Sequence, residues 1–236
     1  MEKHFKFTNA VLAMPLFFVL LLWFIFWIEI RFSLDFAQNG IYPRTFSGLQ
    51  GVFLSPFIHA DIEHLYNNSI PLLVLFSALQ FFYAEHSIKI IVYGILFSGF
   101  FTWIIGRDNY HIGASGLIYV LFSFIFFKGI QTKYNRLVAL SLAVIVVYGG
   151  LVWYVFPSPE IIGNKSISWE GHLGGLLTGF FLSLVYKTPE YKKVIKYEWE
   201  HPDFDAASDK FMQRFDENGN FVNLPIEKEE SILAHY

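Results

Sequence analysis

"HIGASGLIYVLFSFIFF", residues 111–127, is the stretch on which the fold turns. It opens on a histidine and on a hydroxyl held between glycines, then runs apolar without a single charge. A helix crossing the hydrocarbon core of a bilayer takes about 20 apolar residues, with a range of about 17–25. This run is marginal in length and begins on polar ground, which suggests a helix buried among other helices. The rest of the chain has to say what those others are.

Working outward, charge-free stretches recur at 7–28, 65–84, 90–106, 137–159 and 173–186. The first, second and fourth of these are long enough to span outright, the third is borderline, and the last is short like 112–127. The stretch at 7–28 is too long for a signal-peptide core and lacks a small-residue cleavage site. Composition agrees with a membrane protein: 54% of the 236 residues are hydrophobic and 16% charged, against about 25% charged in a typical soluble domain. The expected fold is an all-α membrane protein, a six-transmembrane-helix bundle over residues 1–187. A polar, acidic tail follows over 188–236, partly helical or disordered.

Charge supplies an orientation. With the amino terminus inside, the inner flanks hold Lys3, Lys6, Lys89, Lys128, Lys133, Arg136, Lys187, Lys192, Lys193 and Lys196, and the outer flanks hold Arg31, Arg44, Arg107 and Lys165. Positive residues gather on the cytoplasmic side of short loops, so both termini are expected in the cytoplasm, the membrane being the plasma (bacterial inner) membrane. A net charge of -3 suggests no nucleic-acid partner, and the absence of cysteine excludes disulfides, thiolate metal sites and cysteine nucleophiles. The loop at 31–60 contains "NGIYPRTFSGLQG" (39–51), whose glycines, prolines and aromatics suggest a compact, partly inserted structure.

Polar side chains at membrane depth are costly, so each is a candidate functional site. His64 and Asn68 open the second helix, Ser115 the fourth and His172 the sixth. All three helices run inward from the outer face. At 1.5 Å per residue these groups lie within about 10 Å of one surface and can meet in one layer. A serine needs a base to take its proton, and histidine is the usual partner. Ser115 and His172 supply that pair. The backbone N–H of Ser115 sits at a helix amino terminus, where unpaired N–H groups and the positive dipole end favour an anion. His64 and Asn68, four apart and on one face, both donate. Asn67 shares nearly the same face, so spacing alone does not choose between the two asparagines. Gly113 and Gly116 flank the serine. Gly171, Gly174, Gly175 and Gly179 surround the histidine and allow close helix approach. Tyr119, one turn below Ser115, can pack on the imidazole.

Three segments carry a family resemblance: "GASG" (113–116) with Tyr119 after it, "HADIEHLYNN" (59–68), and "GHLGGLLTG" (171–179). Together and in this order they resemble the rhomboid intramembrane serine proteases over roughly residues 10–187. The resemblance implies catalytic roles for Ser115 and His172, oxyanion stabilisation by His64, Asn68 and Ser115, and support from Tyr119, Gly113 and Gly116. It selects Asn68 over Asn67. It implies cleavage of single-span, membrane-anchored proteins near the outer bilayer surface, with no metal and no cofactor. Bacterial members often carry a Trp-Arg pair in the first loop, where this chain has "YPRTF" (42–46), leaving that loop's contacts open.

Other readings are weaker. His59, Glu63 and His64 fit neither zinc-protease spacing, and His59 is expected instead to steady the entrance to the second helix. Asp216, Asn218, Asn220 and Glu227 imitate calcium-loop positions. Phe221 stands where that loop needs glycine and Pro225 interrupts it, so a turn is expected. Asn67-Asn68-Ser69 matches a glycosylation acceptor but lies inside a helix. A catalytically silent binder has no need of both Ser115 and His172. A transporter is disfavoured by the lack of inverted halves and of buried carboxylates.

Overall fold

A computed structural model describes residues 7–147, 153–158, 167–186 and 197–222. The described residues are helical and contain no strand, only isolated antiparallel bridges at Ile41–His111 and Phe215–Phe221. Among the described residues the helices longer than four residues are, in order, α1 Ala10–Arg31, α2 Ile62–Phe82, α3 Ser87–Ile105, α4 Ser115–Gln131, α5 Asn135–Val147 and α6 Trp169–Val185. The chain divides into two compact units, Lys3–Glu190 and Tyr191–Tyr236.

Sequence and structure agree on where apolar helices lie, with boundaries shifted by up to four residues. By length and apolarity three helices can cross a membrane, namely α1, α2 and α3. Helices α4 and α5 are shorter apolar helices. The expected stretch at 137–159 falls partly outside the described residues, and a short 3-10 turn occupies Trp153–Val155 within it.

Packing follows from where the apolar side chains fall. On α1, Val11, Pro15, Val19, Leu22 and Phe26 are buried; their spacing of three and four makes one stripe, turned toward α2. The opposite face leaves Leu12, Leu16, Phe17, Leu20, Phe24 and Trp27 exposed. Such a surface suits lipid, where apolar side chains lose nothing by facing outward. One polar tie joins the pair: the Trp23 indole N–H donates to Ser69 Oγ at 3.0 Å. Helix α4 behaves differently, with every residue from Leu117 to Ile125 buried. A helix hydrophobic all round belongs in the middle of the bundle, and α4 packs against α2, α3, α5 and α6.

Helices α4 and α6 form the most extensive pair. A Cβ on Gly175 would run into the Gly116 carbonyl and Tyr119, and one on Gly179 into the Val120 carbonyl. Only glycine lets the two backbones come this close. Two hydrogen bonds fix the pair along its length, Ser123 Oγ to the Leu176 carbonyl at 2.6 Å and Gln131 Nε2 to Ser183 Oγ at 2.9 Å.

Between α1 and α2 the chain makes a series of short helical turns at Ala37–Asn39, Ser47–Gln50, Gly51–Leu54 and Ser55–Phe57. This is the compact loop expected from its glycines and prolines. Its anchor is Arg44, whose guanidinium donates to the Ile104 and Gly106 carbonyls at 3.3 and 2.6 Å and pairs with Asp108 at 2.5 Å. The contacts left open by "YPRTF" are made by its arginine together with Thr45, whose carbonyl accepts from the Trp103 indole at 2.8 Å, and Tyr42, which packs edge-on to Tyr110.

In the second unit, 197–222 holds only short turns. Its "DENGN" segment forms the expected turn: Asp216 accepts from the backbone N–H groups of Asn218 and Asn220 at 2.9 and 2.8 Å and from Asn220 Nδ2 at 3.0 Å. These bonds hold the Asp216 carboxyl below its usual range. They occupy the oxygens that a calcium loop would have offered to a cation.

Candidate active site

Ser115 is the first residue of α4, with Ala114 at its N-cap. His172 lies in the first turn of α6, which starts after an N-cap Ser168 whose hydroxyl accepts from the Gly171 N–H. The glycine-lined contact between the two helices brings these starts together. Ser115 Oγ lies 3.0 Å from His172 Nε2. His172 Nδ1 lies 3.0 Å from the Tyr154 carbonyl oxygen. A carbonyl can only accept, so Nδ1 carries the proton and Nε2 is left as acceptor for the serine hydroxyl. That is the tautomer a general base requires.

A backbone carbonyl thus takes the orienting place that a carboxylate fills in a triad. No side-chain identity encodes it, which is why Tyr154 could not be singled out from the sequence. The Tyr119 ring stacks on the His172 imidazole, with centroids 4.3 Å apart and planes 21° from parallel. Tyr119 is almost wholly buried, so it limits the rotation of the imidazole from one side.

Gly113 and α2 build the other wall. Gly113 has φ +107°, in the left-handed region that favours glycine. A Cβ there would lie 2.6 Å from His64 Nε2 and 3.6 Å from Asn68 Nδ2. Both donors therefore stand against the backbone two residues before Ser115. Asp61 caps α2 by accepting from the His64 N–H at 2.7 Å, which fixes the start of that helix. Asn68 is buried and Asn67 exposed, so the asparagine facing the interior is the one selected by the family pattern. Its Nδ2 is buried with no hydrogen-bond partner. A buried donor without an acceptor is costly and calls for an explanation.

His59 packs edge-on to His64, with centroids 5.1 Å apart, and its Nε2 accepts from the Ala114 N–H at 3.4 Å. It therefore braces the entrance of α2 against the N-cap of α4. Burial, with His64 beside it, pushes the His59 pKa down to about 3, which keeps Nε2 free to accept. A cavity of about 30 Å³ opens beside Ser115, lined by Ser55, Ser98, Thr102, His111 and Ser168 among others. It is large enough and polar enough for a water molecule. Glu63 is exposed, and no cluster of metal-ligating side chains occurs among the described residues.

The structure thus brings Ser115, His172, Tyr119, Gly113, Gly116, His64 and Asn68 into one layer at the starts of α2, α4 and α6. One expectation needs correcting. The sequence suggests a lack of buried carboxylates, whereas Glu170 in the first turn of α6 is fully buried and paired with Arg107 at 2.7 Å. Its partner lies far off in sequence, so the pair could not be read from spacing.

Comparison with known proteins gives the same family from independent ground. A family model for the Rhomboid domain matches residues 47–188. An uncharacterized protein of Mycobacterium tuberculosis is 33% identical over 161 residues, covering 65% of this chain and 66% of the relative. An uncharacterized protein of Mycobacterium leprae is 32% identical over 169 residues, covering 69% of this chain and 65% of the relative. The match thus spans just under two thirds of the length of these relatives. With a model match over more than half its length and these helices around the matched segments, the chain is an integral membrane protein and belongs to the rhomboid family of intramembrane serine proteases.

Proposed function

We propose that this chain is an intramembrane serine endopeptidase that cuts single-span, membrane-anchored proteins near the outer bilayer surface, using Ser115 as nucleophile and His172 as base. The observation that carries the reading is the 3.0 Å approach of Ser115 Oγ to an imidazole whose other nitrogen is committed to the Tyr154 carbonyl.

The chemistry follows from these groups. Ser115 Oγ attacks the scissile carbonyl as His172 Nε2 takes its proton. The carbonyl oxygen gains negative charge and is met by the Ser115 N–H, His64 and Asn68. Asn68 Nδ2, a buried donor with no partner, gains its acceptor at this moment, so the bond contributes in the transition state rather than before it. His172 then returns the proton to the leaving amine and an acyl-enzyme remains. A water entering the polar cavity beside Ser115 gives up a proton to His172 as it attacks the ester, and His172 passes that proton to Ser115 Oγ as the ester bond breaks and the acid leaves. No metal and no cofactor takes part.

A transmembrane helix hides its peptide bonds in backbone hydrogen bonds, so the substrate unwinds locally where small or helix-breaking residues meet the surface. The site lies at the starts of α2, α4 and α6, and the excess of positive residues on the other flanks supports an outer-face position for it, with both termini and the tail at 188–236 in the cytoplasm.

The test is incubation of purified protein in detergent with a panel of single-span substrates, with cut sites mapped by mass spectrometry. Cleavage at the outer end of the substrate helix, lost in both Ser115→Ala and His172→Ala, supports the reading. Cleavage that survives either substitution, or a folded wild type that cuts nothing, contradicts it.

A further inference from the structure

The segment entering α4 and the segment entering α6 are joined by more than the Ser115–His172 contact. Arg107 lies eight residues before Ser115, and Glu170 two before His172. Glu170 Oε1 accepts from both the backbone N–H and Nε of Arg107, at 3.1 and 2.7 Å, and its Oε2 lies 3.4 Å from Arg107 Nη2. The same Nη2 donates to the Ile167 carbonyl at 2.6 Å. The Glu170 side chain is fully buried.

A second link lies between this pair and the serine. His111 Nδ1 is 2.6 Å from Ser168 Oγ, and His111 Nε2 is 3.0 Å from the Arg107 carbonyl. The carbonyl only accepts, so Nε2 carries the proton and Nδ1 accepts from the Ser168 hydroxyl. That hydroxyl still accepts from the Gly171 N–H, so one oxygen caps α6 and ties it to the loop before α4. His111 is itself fixed by a reciprocal backbone pair with Ile41, at 2.8 and 3.0 Å.

Positions 107, 111 and 115 of one segment therefore meet 170, 168 and 172 of the other in three successive links. The Arg107–Glu170 link lies outside the lining of the cavity beside Ser115, and the His111–Ser168 link forms part of that lining. Without them, the glycine-rich helix contact, the hydrogen bonds deeper along α4 and α6 and the His172–Tyr154 bond would be left to set where the α6 start sits. An error of about 1 Å at a reacting pair costs on the order of a hundredfold in rate.

We propose that Arg107, Glu170, His111 and Ser168 are positioning residues, a polar clamp that fixes the start of α6 against the start of α4 and so sets the Ser115–His172 separation. This rests on the reading of Ser115 and His172 as nucleophile and base. The clamp acts on the rate of the chemical step and leaves binding alone. Its geometry depends on hydrogen bonds accepted by position 170. An amide there can still accept from both Arg107 donors through one oxygen, whereas a methyl group cannot.

The test is the kinetics of fluorophosphonate labelling of full-length protein in detergent, well below the melting transition of each variant. The expected result is that Glu170→Ala and Arg107→Ala lower the maximal labelling rate by roughly tenfold or more with the half-saturating probe concentration unchanged. Glu170→Gln should restore most of that rate, a rescue that loss of stability alone does not produce. If Glu170→Ala fails to fold, Ser168→Ala decides the matter by the same split. A folded Glu170→Ala or Ser168→Ala that labels at the wild-type maximal rate overturns the clamp, as does a defect lying wholly in probe binding. A wild type that never labels removes the nucleophile reading instead, and the clamp with it.

Discussion

Asn68 Nδ2 and His59 each sit in the site at an energetic cost, and both costs can be measured. Asn68 presents a buried donor with no hydrogen-bond partner, a loss to the resting protein that the proposed oxyanion contact would recover. Asn68→Ala should therefore lower turnover by roughly 100- to 1000-fold, the range seen when an oxyanion donor is removed. The melting temperature should stay unchanged or rise, since an unsatisfied group has gone. Turnover assays beside thermal melts check both halves. His59 is held neutral, with its pKa near 3 in the folded chain against about 6.5 when unfolded. The unfolded state then binds the extra proton first, so stability is complete above pH 6.5 and is lost as pH falls toward 3. Burial lowers the pKa of His111 as well and adds to the same slope. Melting curves in detergent between pH 7 and pH 4 should show this decline, and His59→Gln should flatten it. At this scale the sequence was informative about side chains and blind to backbone. Ser115, His172, His64 and Tyr119 stand out as polar or aromatic residues at helix starts. The Tyr154 carbonyl that orients His172 has no signature, and spacing alone leaves Asn68 and Asn67 level; the family resemblance selects Asn68, and burial agrees with it.

Helices α4 and α6 hold the site because glycine removes what would keep them apart. The Gly175 position faces the Gly116 carbonyl and Tyr119, so any larger residue pushes α6 outward and carries His172 with it. Gly175→Val should abolish cleavage while the protein still inserts. Gly171→Ala, whose Cβ would meet chiefly the Ser168 hydroxyl at 2.9 Å, should be milder. Activity measured beside size-exclusion profiles separates a lost site from a lost fold. The element scale was largely legible, because a charge-free run at helical length and a GxxxG pair are both local signals. Boundaries moved where capping decided them. Asp61 starts α2 and Ser168 starts α6, each earlier than the charge-free run suggested. The clamp of Arg107 on Glu170 and the anchoring of Arg44 on the α3 end join residues about sixty apart in sequence, and no periodicity carries that information.

As a whole, the first unit turns apolar side chains outward along α1 and inward around α4, the arrangement a bundle in lipid requires, since only packing and internal polar contacts distinguish inside from outside there. The starts of α2, α4 and α6 converge on one layer, and every group proposed for the chemistry comes from that layer or from the loop residue Tyr154. The central claim is that this convergence makes Ser115 a nucleophile. Treating the purified full-length protein with a fluorophosphonate and locating the adduct by peptide mass spectrometry tests it directly. The account predicts a single adduct on the peptide bearing Ser115, absent in His172→Ala although that variant keeps its serine. An adduct on another residue, or undiminished labelling of Ser115 without the histidine, would contradict it.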